Sequence, residues 1–289
     1  MSLVVAQATE NGPRIVSDMR VSFPDGRASS FKGGTLKTIV VSRNITICFA
    51  GDLESGLRGV REFAKGVEGG HPACNLLFRL QELASDDRRP VEFIVASTDA
   101  NSQLTRIRGG RIERDLQTAW IGDQQAFEGF QRERSRPPDD SRLFIESRLS
   151  PGAKVMSALQ RAMQVVIEDS AFESVGGFCV AVAATLRGFE YLASVFIYVE
   201  RDIHVKSGDD LISKMAQPIA EGGYAVSVVE PAEPGIPALG LNFPRARLGM
   251  LFLPLKFDGA EVISDVSPKD FAKVVLEHFG VAMKDPNLR

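Results

Sequence analysis

Apolar residues recur at two spacings along this chain, and the switch from one to the other marks where strands give way to helices. Residues 3 to 8 read as a strand, Asn11-Gly12-Pro13 as a turn, and Arg14 to Asp18 as the returning strand. A polar, Gly-containing stretch at 24 to 35 precedes a second pair, Thr38 to Val41 and Ile45 to Phe49, joined by Ser42-Arg43-Asn44. Neither hairpin alternates strongly enough to leave one face in water, so both faces are expected to be covered. From Asp52 the period lengthens. Leu53, Leu57, Val60 and Phe63-Ala64 suit a helix that Gly66 and Gly69-Gly70 end, and a second helix over 73 to 84 carries Leu76, Leu77, Leu80 and Leu83 on one stripe.

Strand spacing returns at 91 to 96, 103 to 108, 111 to 113 and 118 to 121. A charged helix is predicted from Gln124 to Arg134, and Arg136 to Asp140 forms a loop. Ser150-Pro151 supplies an N-cap and a first-turn proline for a helix reaching Asp169. Two apolar strands follow at 178 to 186 and 190 to 199, turned by Arg187-Gly188-Phe189. The remainder holds a proline-rich piece (Pro231, Pro234, Pro237), a strand pair between Leu248 and Val262, and a helix opened by Ser267-Pro268 and ending near His278. Strands interrupted by two helical pairs fit two stacked sheets with helices on each outer face. The expected class is α+β, with residues 1–202 as one domain and 203–289 as a C-terminal α/β extension packed on it.

Composition narrows the chemistry. Hydrophobic residues make up 44% and the formal net charge is −3, which gives no chain-wide attraction to nucleic acid or to an anionic membrane. The N-terminus lacks the basic segment and apolar core of a secretory signal, and no run approaches a membrane span, so a cytoplasmic protein is expected. Cys48, Cys74 and Cys179 are far apart in apolar settings and read as buried free thiols. Only His71, His204 and His278 are available as imidazole ligands, and neither metal nor cofactor is expected. Lys32-Gly33-Gly34-Thr35 lacks the spacing of a phosphate loop.

The most specific pattern lies in the first 52 residues. Ser2 opens a strand, Ser17-Asp18-Met19-Arg20 lies on the returning strand, Lys37 precedes the second hairpin, and Phe49-Ala50-Gly51-Asp52 leads into a helix. This arrangement resembles the proteasome β-subunits of the N-terminal nucleophile hydrolases. As in that family, the acidic residue stands sixteen positions after the nucleophile, and the lysine stands fourteen before the oxyanion-hole glycine. The resemblance covers about residues 2 to 200 and implies a four-layer αββα sandwich. Downstream, Asp123 occupies the position of a supporting serine. Asp169 to Gly177 corresponds to an Asp-x-x-Ser-Gly-Gly element, with Ser174 one residue early and Val175 directly before the glycine pair.

Ser2 is therefore the candidate nucleophile, with Asp18, Lys37 and Gly51 as its partners and Arg20, Asp123, Asp169 and Ser174 as supporting residues. A serine hydroxyl is a weak nucleophile at its own pKa, and the α-amine of the same residue, with a pKa of about 8, serves as general base once Met1 is removed. A lysine ammonium keeps that amine neutral, Asp18 orients the lysine, and the Gly51 N–H at the mouth of a helix receives the developing oxyanion. The resemblance implies a peptide or amide substrate and self-assembly, as a ring in relatives. Three readings stand side by side: a proteasome-like peptidase, an inactive scaffold or partner-binding module of the same fold, and a small-molecule amidase of the wider superfamily.

Overall fold

The computed structural model describes residues 2–21, 34–98, 104–137, 149–198 and 224–284. Among these the protein is a mixed α+β chain with three antiparallel sheets of five strands each and five helices. Two compact units are formed. One comprises Met1–Leu192 with Glu233–Pro237 and Leu253–Ala260, and the other Ala193–Ala232, Ala238–Phe252 and Glu261–Arg289.

In the first unit β1 (Leu3–Gln7) and β2 (Arg14–Ser17) form the expected hairpin, with Val5 opposite Val16. All of β2 and the first four residues of β1 are buried, which is why their sequences do not alternate. β3 (Thr38–Ser42), β4 (Ile45–Gly51), β5 (Val91–Ser97), β6 (Leu104–Arg108) and β7 (Arg111–Glu113) make a second sheet in chain order. β8 (Thr118–Gly122) returns to the first sheet beside β1, and β9 (Val180–Thr185) and β10 (Gly188–Tyr191) complete it in the order β10-β9-β2-β1-β8.

Two helices, α1 (Leu53–Glu68) and α2 (Ala73–Ala84), pack on the second sheet. The Asp52 carboxylate caps α1 by accepting from Ser55 N at 2.9 Å. α1 passes through Gly66, one of the glycines expected to end it, because a Leu76 side chain from α2 fills the space there; its cap is Gly69. α3 (Gln124–Ser135) and α4 (Pro151–Glu168) pack on each other, and α4 lies on β2 and β9. Strands of the two sheets also face one another, β1 against β4 and β5 against β8. Across that interface the buried Tyr191 hydroxyl donates to Thr38 O and accepts from Val40 N.

The second unit contains β11 (Val195–Tyr198), β12 (Tyr224–Val229), β13 (Leu239–Phe243), β14 (Leu248–Phe252) and β15 (Ala260–Ser264) in that order, with α5 (Pro268–Phe279) on β13 and β14. The Phe271 ring occupies the space left open by Gly240 and Gly249.

Three expectations change. The apolar run predicted as a single strand over 190 to 199 is two strands: β10 pairs with β9, whereas β11 pairs with β12 in another sheet. The turn before it is tighter than predicted, since Gly188 already pairs with Thr185. Cys74 is exposed, because it lies off the stripe of α2 on which Leu76, Leu77 and Leu80 are buried. Cys48 and Cys179 are buried, and burial pushes both thiols up to about 12. Met1, the polar stretch as far as Gly33, Gln103, Pro138 to Asp140, Val199 and His204 lie outside the described residues. No described helix is long and apolar enough to cross a membrane.

Candidate active site

Asp18 follows directly on β2, where the chain leaves the first sheet, and its side chain is completely buried. A buried carboxylate requires donors on both oxygens, and the surrounding chain supplies four. Oδ1 accepts from Leu3 N at 3.0 Å and from Lys37 Nζ at 2.7 Å. Oδ2 accepts from Arg20 N at 3.1 Å and from Gly176 N at 3.1 Å. The start of β1, the entry to β3 and the loop before β9 are thereby tied to one side chain.

Lys37 is 2% exposed, so its ammonium is held by an ion pair away from water. Burial pushes its pKa below the ordinary 10.5, opposed by the charge and hydrogen bond of Asp18 and reinforced by nearby Arg20. Ser2 is 5% exposed. Its carbonyl accepts from Asp123 N at 2.7 Å, and Gly122, at φ +101°, lies so close to that carbonyl that a Cβ would collide with it. Ser2 is thus held from both sides, through Leu3 N by Asp18 and through its own carbonyl by the end of β8.

Gly51 ends β4 at φ +110°, where a Cβ would run into Pro90 O. Ser2, Lys37 and Gly51 open onto one cavity of about 830 Å³ that also reaches Arg20 and one face of α1. That volume is within the range of ligand pockets.

The supporting residues divide. Asp123 caps α3 by accepting from Ala126 N at 2.9 Å, and its second oxygen accepts from the Ser174 hydroxyl at 2.6 Å. These two therefore meet, next to the backbone contact with Ser2. Asp169 is exposed and closes the turn after α4 by accepting from Ala171 N at 2.9 Å. Val175 is buried at 1% exposure.

Glu92 escaped the sequence reading. It accepts from Gly122 N at 2.8 Å and from Arg108, fixing the β8 corner that holds Ser2. An acidic residue inside the apolar run of β5 is the signal that marks it. Among the described residues, no three His, Cys, Asp or Glu side chains gather as a metal site would require. No protein-family model matches the chain, and no curated protein matches it significantly.

Proposed function

We propose that this chain is a cytoplasmic amide-bond hydrolase of the proteasome-like N-terminal nucleophile type, built on a four-layer αββα sandwich and acting on peptides after loss of Met1. The observation that carries the reading is a shared acceptor: Leu3 N and Lys37 Nζ both donate to Asp18 Oδ1, at 3.0 and 2.7 Å. Ser2 directly precedes Leu3, and Ser2, Lys37 and Gly51 line one cavity, which supports a site shared by the three. The placement of α1 and α2 on one sheet and of α4 on the other supports the layered arrangement.

In the proposed reaction Ser2 Oγ attacks the carbonyl carbon of the scissile amide, and the α-amine takes the hydroxyl proton. The oxyanion is stabilised at the Gly51 N–H. The C–N bond then breaks, and the leaving amine departs with that proton. An ester on Ser2 remains, which water hydrolyses to the free acid and the starting hydroxyl. The low pKa direction of Lys37 fits a lysine that supports a neutral amine beside it.

One observation favours the inactive scaffold instead: buried Val175 stands where the family places a serine. The two readings separate on labelling with a hydroxyl-directed acylating probe. The hydrolase reading expects a mature N-terminus at Ser2 and a single adduct on that residue, lost in Ser2→Ala and strongly slowed in Lys37→Ala. A retained Met1, or labelling that survives Ser2→Ala, overturns it. Copies are proposed to associate, a ring being the form the resemblance suggests, and native mass spectrometry counts the subunits.

A further inference from the structure

The cavity beside Ser2 changes character along α1. Leu53, Leu57, Arg61 and Lys65 are spaced four apart and form one stripe of that helix, all lining the cavity. At 1.5 Å per residue the stripe is roughly 18 Å long. At its start, after Gly51, the stripe itself is apolar through Leu53 and Leu57, with buried Phe49 and Val21 beside it, while Glu54 in the same turn is held by Arg89. Beyond Leu57 the lining becomes cationic.

Part of that charge is already matched. Arg61 pairs with Asp258 at 2.8 Å, Arg89 with Glu54 at 2.6 Å, and Lys37 with Asp18. Among the described residues no carboxylate pairs with Arg58, Lys65 or Arg88, all three of them exposed at the cavity. The lining carboxylates outside those pairs are Asp52, occupied in capping α1, and Glu62. Cations on an open surface are ordinarily just solvated, but concave walls of low dielectric focus their field. Here that field lies in the cavity that also holds Ser2.

We propose that the cavity recognises an acidic peptide, with an apolar side chain seated against Leu53 and Leu57 at the scissile position and carboxylates further along, on Arg58, Lys65 and Arg88. An extended peptide rises about 3.3 Å per residue, so these cations meet side chains roughly two to five positions from the cleaved bond. This assignment rests on the hydrolase reading for the position of the cleaved bond, though not for the charge preference. A peptide fits better than a nucleic acid because the described wall offers the apolar pair Leu53 and Leu57 and no exposed aromatic ring on which a base would stack.

The test uses three fluorescent decapeptides sharing a central leucine and flanked on both sides by glutamate, serine or lysine. Binding is read by anisotropy, and the Ser2 adduct is read in parallel by mass spectrometry. The expected result is binding of the glutamate peptide roughly three- to thirtyfold tighter than the serine peptide, from two or three exposed ion pairs. Lysine should be weakest, and the gap should shrink in 0.5 M salt, roughly the regime where the screening length falls to a few ångströms. The Arg58→Glu/Arg88→Glu variant, its fold checked by circular dichroism, should lose the preference.

Equal affinities, or tighter binding of the lysine peptide, overturn the proposal while a Ser2 adduct leaves the hydrolase reading standing. Selective glutamate binding with no adduct under any condition has the opposite meaning. A single-stranded oligonucleotide of equal charge that displaces the glutamate peptide at lower concentration also overturns it, by marking the groove as a general polyanion site.

Discussion

A lysine enclosed by protein on all sides is costly unless something holds its charge, and Lys37 has one carboxylate for that purpose. Because burial lowers its pKa from 10.5, the unfolded chain binds more protons than the folded one between the lowered value and 10.5. Stability therefore rises with pH across that interval. The side-chain amine of Lys37, followed by NMR, should titrate below 10.5, and Asp18→Asn should lower the midpoint further by removing the opposing charge. Lys37→Met leaves Asp18 buried without its cation and should cost about 3–5 kcal/mol in urea denaturation. At this scale the sequence was informative where chemistry resides in side chains: Ser2, Asp18, Lys37 and Gly51 are found around one cavity or one carboxylate. It was silent about the N–H groups of Leu3, Arg20 and Gly176, since every residue but proline carries one. In sequence α1 was legible only through its apolar positions, and the charges of Arg61 and Lys65 on the same stripe were passed over, because their meaning depends on which neighbours are already paired.

At the scale of elements, Gly51 joins a strand to a helix in a conformation that an L side chain rarely adopts, against a carbonyl that leaves no room for Cβ. Gly51→Ala is expected to cost about 1–3 kcal/mol from backbone strain. It should also suppress Ser2 acylation more than that loss of stability explains; thermal melts and labelling rates on the same sample check both. Most helices and hairpins were readable because capping residues and period changes are local. The break between β10 and β11 was not. From Tyr191 to Tyr198 the residue types stay compatible with one strand, but Leu192 N bonds to Ala181 O whereas Val195 pairs with Ser227. That choice is made by partners far away in sequence. β12 and β13 also escaped: they flank the proline-rich piece, which was the one feature noted there.

Over the whole molecule, the first unit is completed by chain that returns late. Glu233–Pro237 and Leu253–Ala260 belong to it, with Gly235 N donating to Phe189 O at 3.0 Å and Asp258 O accepting from the Thr35 hydroxyl at 3.2 Å. No local pattern announces such a return, since the contacts cross some two hundred residues in the second case.

The four donors converging on Asp18 link segments that are adjacent only in the finished unit. Loosening any one of them leaves a buried carboxylate short of a donor, so the segments are coupled against separate fraying. Amide protons of Leu3, Arg20 and Gly176 should accordingly exchange with solvent through a common opening, with matching free energies and a parallel response to denaturant. Widely different exchange behaviour at the three would mean that the carboxylate is a bystander to the stability around it.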